Sequence, residues 1–199
     1  MITDKVMQFD KREEAPITLK GKALWITRTA AFIAGLVVVQ FATAQFGSTL
    51  VTGVLVNLIL IVSVVVCGPS TGAAVGVFSP IFAKMIGIGP DWSIIPLIVL
   101  GNIGLILLWS HIGNWQKIPQ YATWVLALII AASLKFLIIY FSVVRLVIPV
   151  ILGLIEKQAA FISAAVSLPN LFMAAAGGTL AFLILPALKK VFRWSFGAK

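Results

Sequence analysis

The stretch Cys67-Gly68-Pro69-Ser70-Thr71-Gly72, continuing through Gly76, Ser79-Pro80 and Gly87 to Gly89-Pro90, decides how this chain is read. It is apolar enough to lie in a bilayer, yet glycine and proline punctuate it throughout. Backbone groups freed at such breaks find no water in the hydrocarbon, so they persist at membrane depth only where protein or a polar cavity covers them. Cleaner hydrophobic stretches flank it on both sides. The pattern predicts an all-α integral membrane protein with about six transmembrane helices, the third one interrupted near Gly76 to Pro80.

Composition points the same way. Of 199 residues, 61% are hydrophobic and 11% charged, and the mean hydropathy of +1.11 lies far from that of a soluble domain. Each spanning helix takes about 20 apolar residues, so the length holds the spans and short loops but no soluble ATPase or binding domain. The net charge of +9 is concentrated at the ends. Lys5, Lys11, Arg12, Lys20, Lys22 and Arg28 precede or open the first span, and Lys189, Lys190, Arg193 and Lys199 follow the last. By the positive-inside rule both termini are cytoplasmic, which requires an even number of crossings. A basic nucleic-acid arm would need a groove-reading motif beside these charges, and the sequence has none. The opening residues are polar and mixed in charge, unlike a cleavable signal.

The expected layout is a cytoplasmic N-terminal tail over 1–22, a transmembrane domain over 23–190 and a cytoplasmic C-terminal tail over 191–199. Within the domain the spans fall near 23–45, 50–67, 67–90, 93–110, 121–149 and 158–188. Trp25 sits where an interfacial aromatic belongs. No internal repeat supports an inverted-repeat carrier.

The polar inventory excludes several chemistries. One histidine, His111, and one cysteine, Cys67, cannot supply the ligands of a zinc site, so no metal is expected. Between Glu14 and Glu156 the only acid is Asp91, assigned to an external loop. Carriers driven by protons or sodium generally bind the driving ion on an intramembrane carboxylate, and none is present in a span. No nucleophile, base and orienter set is visible, nor a Walker loop, so the chain is not expected to be an enzyme or to hydrolyse ATP.

Gly68, Gly72 and Gly76 recur at four-residue spacing, as do Ala30 and Ala34. Such small faces serve either internal packing or close approach of a partner helix. Gln40, Gln45, Asn57, Asn102, Lys135, Arg145 and Asn170 lie in or beside spans, where each polar group must find a partner. Arg145 can either snorkel outward or share a face with Lys135. Lys135, near mid-span, has less opportunity to reach the interface, and a cavity-facing role is expected for it.

Six short spans, an Ala-x-x-x-Ala pair in the first, and glycine and proline in the third resemble the S components of energy-coupling factor (ECF) transporters. The stretches that carry the likeness are Thr52-Gly53-Val54-Leu55-Val56-Asn57, Gly68-Pro69-Ser70-Thr71-Gly72, Phe78-Ser79-Pro80, Ile95-Pro96 and Gly101-Asn102. The resemblance implies a multi-pass subunit of a prokaryotic cell membrane. It would capture a vitamin outside and deliver it by toppling in the bilayer. Its partners would be a transmembrane coupling subunit and two cytoplasmic ATPases that bind MgATP, with no cofactor on this chain. Ala30 and Ala34 map to the coupling face. Gln45, Asp91, Trp92, Asn102, Lys135, Arg145, Glu156 and Gln158 map to the substrate side. Similarity is greatest to cobalamin-specific members, and the amides of Gln45, Asn102 and Gln158 suit that ligand. Lys135 and Arg145 equally suit an anionic vitamin such as pantothenate. A non-transporting assembly protein is the alternative from another class.

Overall fold

The structure, a computed structural model, describes the backbone of residues 3–87, 92–113, 119–142 and 156–196, and side chains over 21–87, 92–113, 119–142 and 168–188. The described residues form six helices: α1 (Thr3–Ala44), α2 (Thr49–Cys67), α3 (Pro69–Met85), α4 (Ile95–Ile112), α5 (Gln120–Ser142) and α6 (Glu156–Phe196). Five segments are long and apolar enough to cross a membrane: Gly21–Ala44, Thr49–Cys67, Ile95–Ile112, Gln120–Ser142 and Leu168–Leu188. This is the architecture of a multi-pass membrane protein. Helix α3 has only 17 residues, and its glycines, serines and lysine keep it outside that set.

The expected interruption of the third span is absent, since Pro69–Met85 is one continuous helix with Pro80 inside it. Gly68-Pro69 and Gly87 mark the ends of this helix, and Gly72, Gly76 and Ser79-Pro80 lie within it. Gly68 sits between α2 and α3 at φ 92° and ψ 170°, a region open essentially to glycine alone. Pro69 then opens α3, where its missing N–H costs nothing, and Gly87 follows its end with φ 79°. A Cβ at Gly68 would meet no atom within 4 Å, so substitution there tests conformation alone. Gly68→Ala is expected to lower stability by about 1–3 kcal/mol, read as a reduced unfolding midpoint. An unchanged midpoint would mean that the turn has an alternative conformation.

Helix directions alternate. Thr52 Oγ1 donates to Thr43 Oγ1 across the tight α1–α2 turn at 2.7 Å. Trp25 bonds Ser70 and Gln40 bonds Ser79, so α1 and α3 run parallel. Helix α1 begins and α6 ends at the same end of the bundle. Helix α2 is the hub, packed on α1, α3, α4 and α6. Its approach to α6 depends on Gly177, where a Cβ would lie 2.8 Å from Cβ of Asn57 and 3.0 Å from the Leu58 nitrogen.

Apolar packing fills the half of the bundle nearest the α2–α3 junction, with Leu60, Ile61, Leu105, Ile106, Trp109 and Leu185 all buried. Gly72 and Gly76 belong to this internal packing. Cβ atoms there would meet Val64 and Ile106 respectively. Of the buried polar residues, Gln40, Thr43, Asn57, Ser79, Asn102 and Lys135 gather in the other half, while Thr29, Ser63, Thr71 and Thr123 lie in the apolar one.

Candidate functional site

Pro80 starts the chain of contacts that builds the site. Lacking an N–H, it leaves the Gly76 carbonyl one turn earlier without its helical partner. Asn102 of α4 fills the gap, donating from Nδ2 to the Gly76 oxygen at 3.0 Å. That bond fixes the amide, and its Oδ1 accepts from Lys135 Nζ of α5 at 2.8 Å. Asn57 of α2 is held in a similar way, with Nδ2 on the Gly53 carbonyl at 2.7 Å and Oδ1 accepting from the same ammonium at 2.7 Å. Gly101 makes room for the arrangement, since a Cβ there would lie 3.3 Å from Cγ of Lys135.

Lys135 is only 2% exposed. Its ammonium has three donors, of which two engage neutral amide oxygens and the third has no partner among the described residues. All the acids of the sequence, Asp4, Asp10, Glu13, Glu14, Asp91 and Glu156, lie outside the described side chains, so no described carboxylate faces this cation. Nor do the described residues bring together histidine, cysteine and acids in a group that could hold a metal.

Above the ammonium is a cavity of about 570 Å³, within the range of small-molecule sites. Lys135, Asn57 and Asn102 contribute to it from the bundle, Gln40 and Ser79 from α1 and α3, and Ser48 from the α1–α2 turn. Ile94 at the start of α4 also lines it, which places the cavity at the end of the bundle opposite the α2–α3 junction. Gln40 is 3% exposed. Its Nε2 donates to the carbonyl and hydroxyl oxygens of Ser79 at 3.4 and 3.3 Å.

Of the residues the sequence singles out, Lys135 and Asn102 meet directly and line the cavity. Gln45 is exposed in the turn between α1 and α2, and Trp92 is 59% exposed ahead of α4. Asp91 and Arg145, and the side chains of Glu156 and Gln158, fall outside the described residues. Ala30 and Ala34 are exposed, together with Val38 and Phe41, on the α1 face turned away from α2 and α3. Gln40 and Asn57 are visible in the sequence as amides within spans. The place of Asn57 beside Lys135, and of Gln40 on the same cavity, follows only from tertiary packing.

Comparison of the chain with protein-family models, with curated proteins and with solved structures finds no match.

Proposed function

We propose that the protein is the ligand-capturing membrane subunit of a multi-component importer of the ECF S-component kind, and that its cargo is a small anionic, vitamin-like molecule. One observation carries the reading. Lys135 is a buried ammonium at the floor of a cavity, faced by neutral amides and by no described carboxylate. An ionisable group at membrane depth is costly, and such groups mark ligand or ion pathways. An anion entering the cavity would compensate the charge and occupy the third donor, in a setting where the attraction is stronger than in water.

With both termini cytoplasmic, the cavity opens outward, as uptake requires. The cavity size favours an anionic vitamin such as pantothenate over cobalamin, because a corrinoid far exceeds the drug-sized ligands that cavities of about 300–1,000 Å³ enclose. The exposed Ala30 and Ala34 offer a surface of small residues to a coupling subunit, and ATP hydrolysis would belong to partner ATPases.

Calorimetric titration of the purified protein with pantothenate, other carboxylate vitamins and cobalamin tests the proposal. A carboxylate vitamin is expected to bind, and Lys135→Met to weaken it at least about tenfold in a folded protein, since a hydrogen bond to a charged group contributes roughly 1.5–3 kcal/mol. Equal affinity in the variant would make Lys135 structural. No binding by any vitamin would favour the assembly role.

A further inference from the structure

We infer that the ligand of this cavity is a monocarboxylate with an apolar body, and that Met173 sets how bulky that body can be. The inference rests on the anion-binding reading of Lys135 and narrows it to one class of acid. Carbon dominates the cavity surface, with Ala44, Val56, Pro80, Ala83, Ile98 and Met173 contributing the walls. The polar side chains among them are engaged by the protein itself. Thr52 donates to Thr43 at 2.7 Å, Ser79 accepts from Gln40 at 3.3 Å and Ser48 caps α2. Asn57 and Asn102 are bonded through both ends of their amides. A ligand body rich in hydroxyls would exchange water for such walls at a loss, whereas a hydrocarbon body gains by leaving water.

Length and width follow from the helices. Thr49 of α2 and Ile94 ahead of α4 line the cavity eight residues outward of Asn57 and Asn102 respectively, about 12 Å along a helix axis. An extended chain advances roughly 1.2 Å per bond, so an acid of about eight to ten carbons covers that depth. Width is governed where α6 meets α2. A Cβ at Gly53 would lie 2.8 Å from Cγ and 3.2 Å from Cε of Met173, and closer still to its sulfur. Glycine therefore leaves a notch into which the thioether folds, and both residues line the cavity. The helices themselves cannot part to make room, because Gly177, one turn beyond Met173, holds α6 against the α2 backbone. A side chain at position 53 would drive the flexible methionine into the open space beside both residues, which is the cavity.

Calorimetric titration of the full chain with butyrate, hexanoate, octanoate, gluconate, 4-phenylbutyrate and alcohols of matching length tests both parts. Affinity is expected to rise about threefold to fourfold for each methylene added from butyrate to octanoate. Hexanoate should bind at least about tenfold more tightly than gluconate, which has the same number of carbons. Met173→Ala should raise the affinity for 4-phenylbutyrate relative to hexanoate by about tenfold, and Gly53→Ala should lower it by a similar factor. The double variant should behave as Met173→Ala, since the group that Gly53→Ala displaces is then gone. A merely structural pair would leave that ratio unmoved, and an unmoved ratio in whichever of these variants folds would overturn the role of Met173. Gluconate binding as tightly as hexanoate would overturn the apolar body and leave the anion site standing. Acids that bind no better than the alcohols, or equally well to Lys135→Met, would overturn the anion site and this inference with it.

Discussion

Asn102→Leu is expected to destabilise the protein by about 3–5 kcal/mol, and adding Lys135→Met is expected to recover much of that loss. Leucine leaves two groups stranded at once. The Gly76 carbonyl, which Pro80 cannot serve, loses the amide at 3.0 Å, and a buried unsatisfied carbonyl costs roughly 1–3 kcal/mol. The Lys135 ammonium loses one of its two acceptors, a charged hydrogen bond of roughly 1.5–3 kcal/mol. Removing the charge cancels the second cost and leaves the first. Thermal or denaturant unfolding of the parent, both single variants and the double variant measures the coupling. Strict additivity would show that Lys135 does not depend on Asn102, and the proposed linkage from proline to ammonium would fall.

Asn57→Asp is expected to leave the fold intact and to weaken anion binding by about a hundredfold. An aspartate oxygen in place of Oδ1, now 2.7 Å from Nζ, would give the ammonium an internal counter-charge. At an effective dielectric near 20 that attraction is roughly 4 kcal/mol, and an incoming carboxylate would have to compete with it. Loss of the amide N–H costs little, because the Gly53 carbonyl already accepts the Asn57 backbone N–H within α2. Calorimetry with the best carboxylate ligand of the parent protein gives the answer. Undiminished affinity in a stable Asn57→Asp protein would show that anions bind elsewhere.

The helices themselves were legible because bilayer-length apolar runs leave few other options. The expected second span over 50–67 and the observed Thr49–Cys67 differ by a single residue at one end. The helix runs unbroken through Gly76 to Pro80 for a physical reason that local sequence does not carry. Local sequence shows that Pro80 frees the Gly76 carbonyl, but the amide that satisfies it comes from Asn102, 26 residues beyond Gly76. With that partner in place the helix continues through the proline. Lys135 stood out because its charge has no acid within any span. Gln40 and Asn57 stood out only as polar residues, since the direction in which each amide turns is set by neighbouring helices. Gln45 and Trp92 lie between spans, which constrains position along the chain but not orientation toward a cavity.

The single-residue link at Gly68 also bears on biosynthesis. Helix α3, with Ser70, Ser79, Pro80 and Lys84, is too short and too polar to partition into lipid by itself. Helix α2 before it is a nearly uninterrupted apolar run. With only Gly68 between them, the two cannot be handled as independent segments during translocation. Insertion as one helical hairpin is the expectation, with the apolar arm offsetting the polarity of the other. On that expectation Ser79 and Pro80 would reach the cavity through a neighbour that supplies the hydrophobicity α3 lacks.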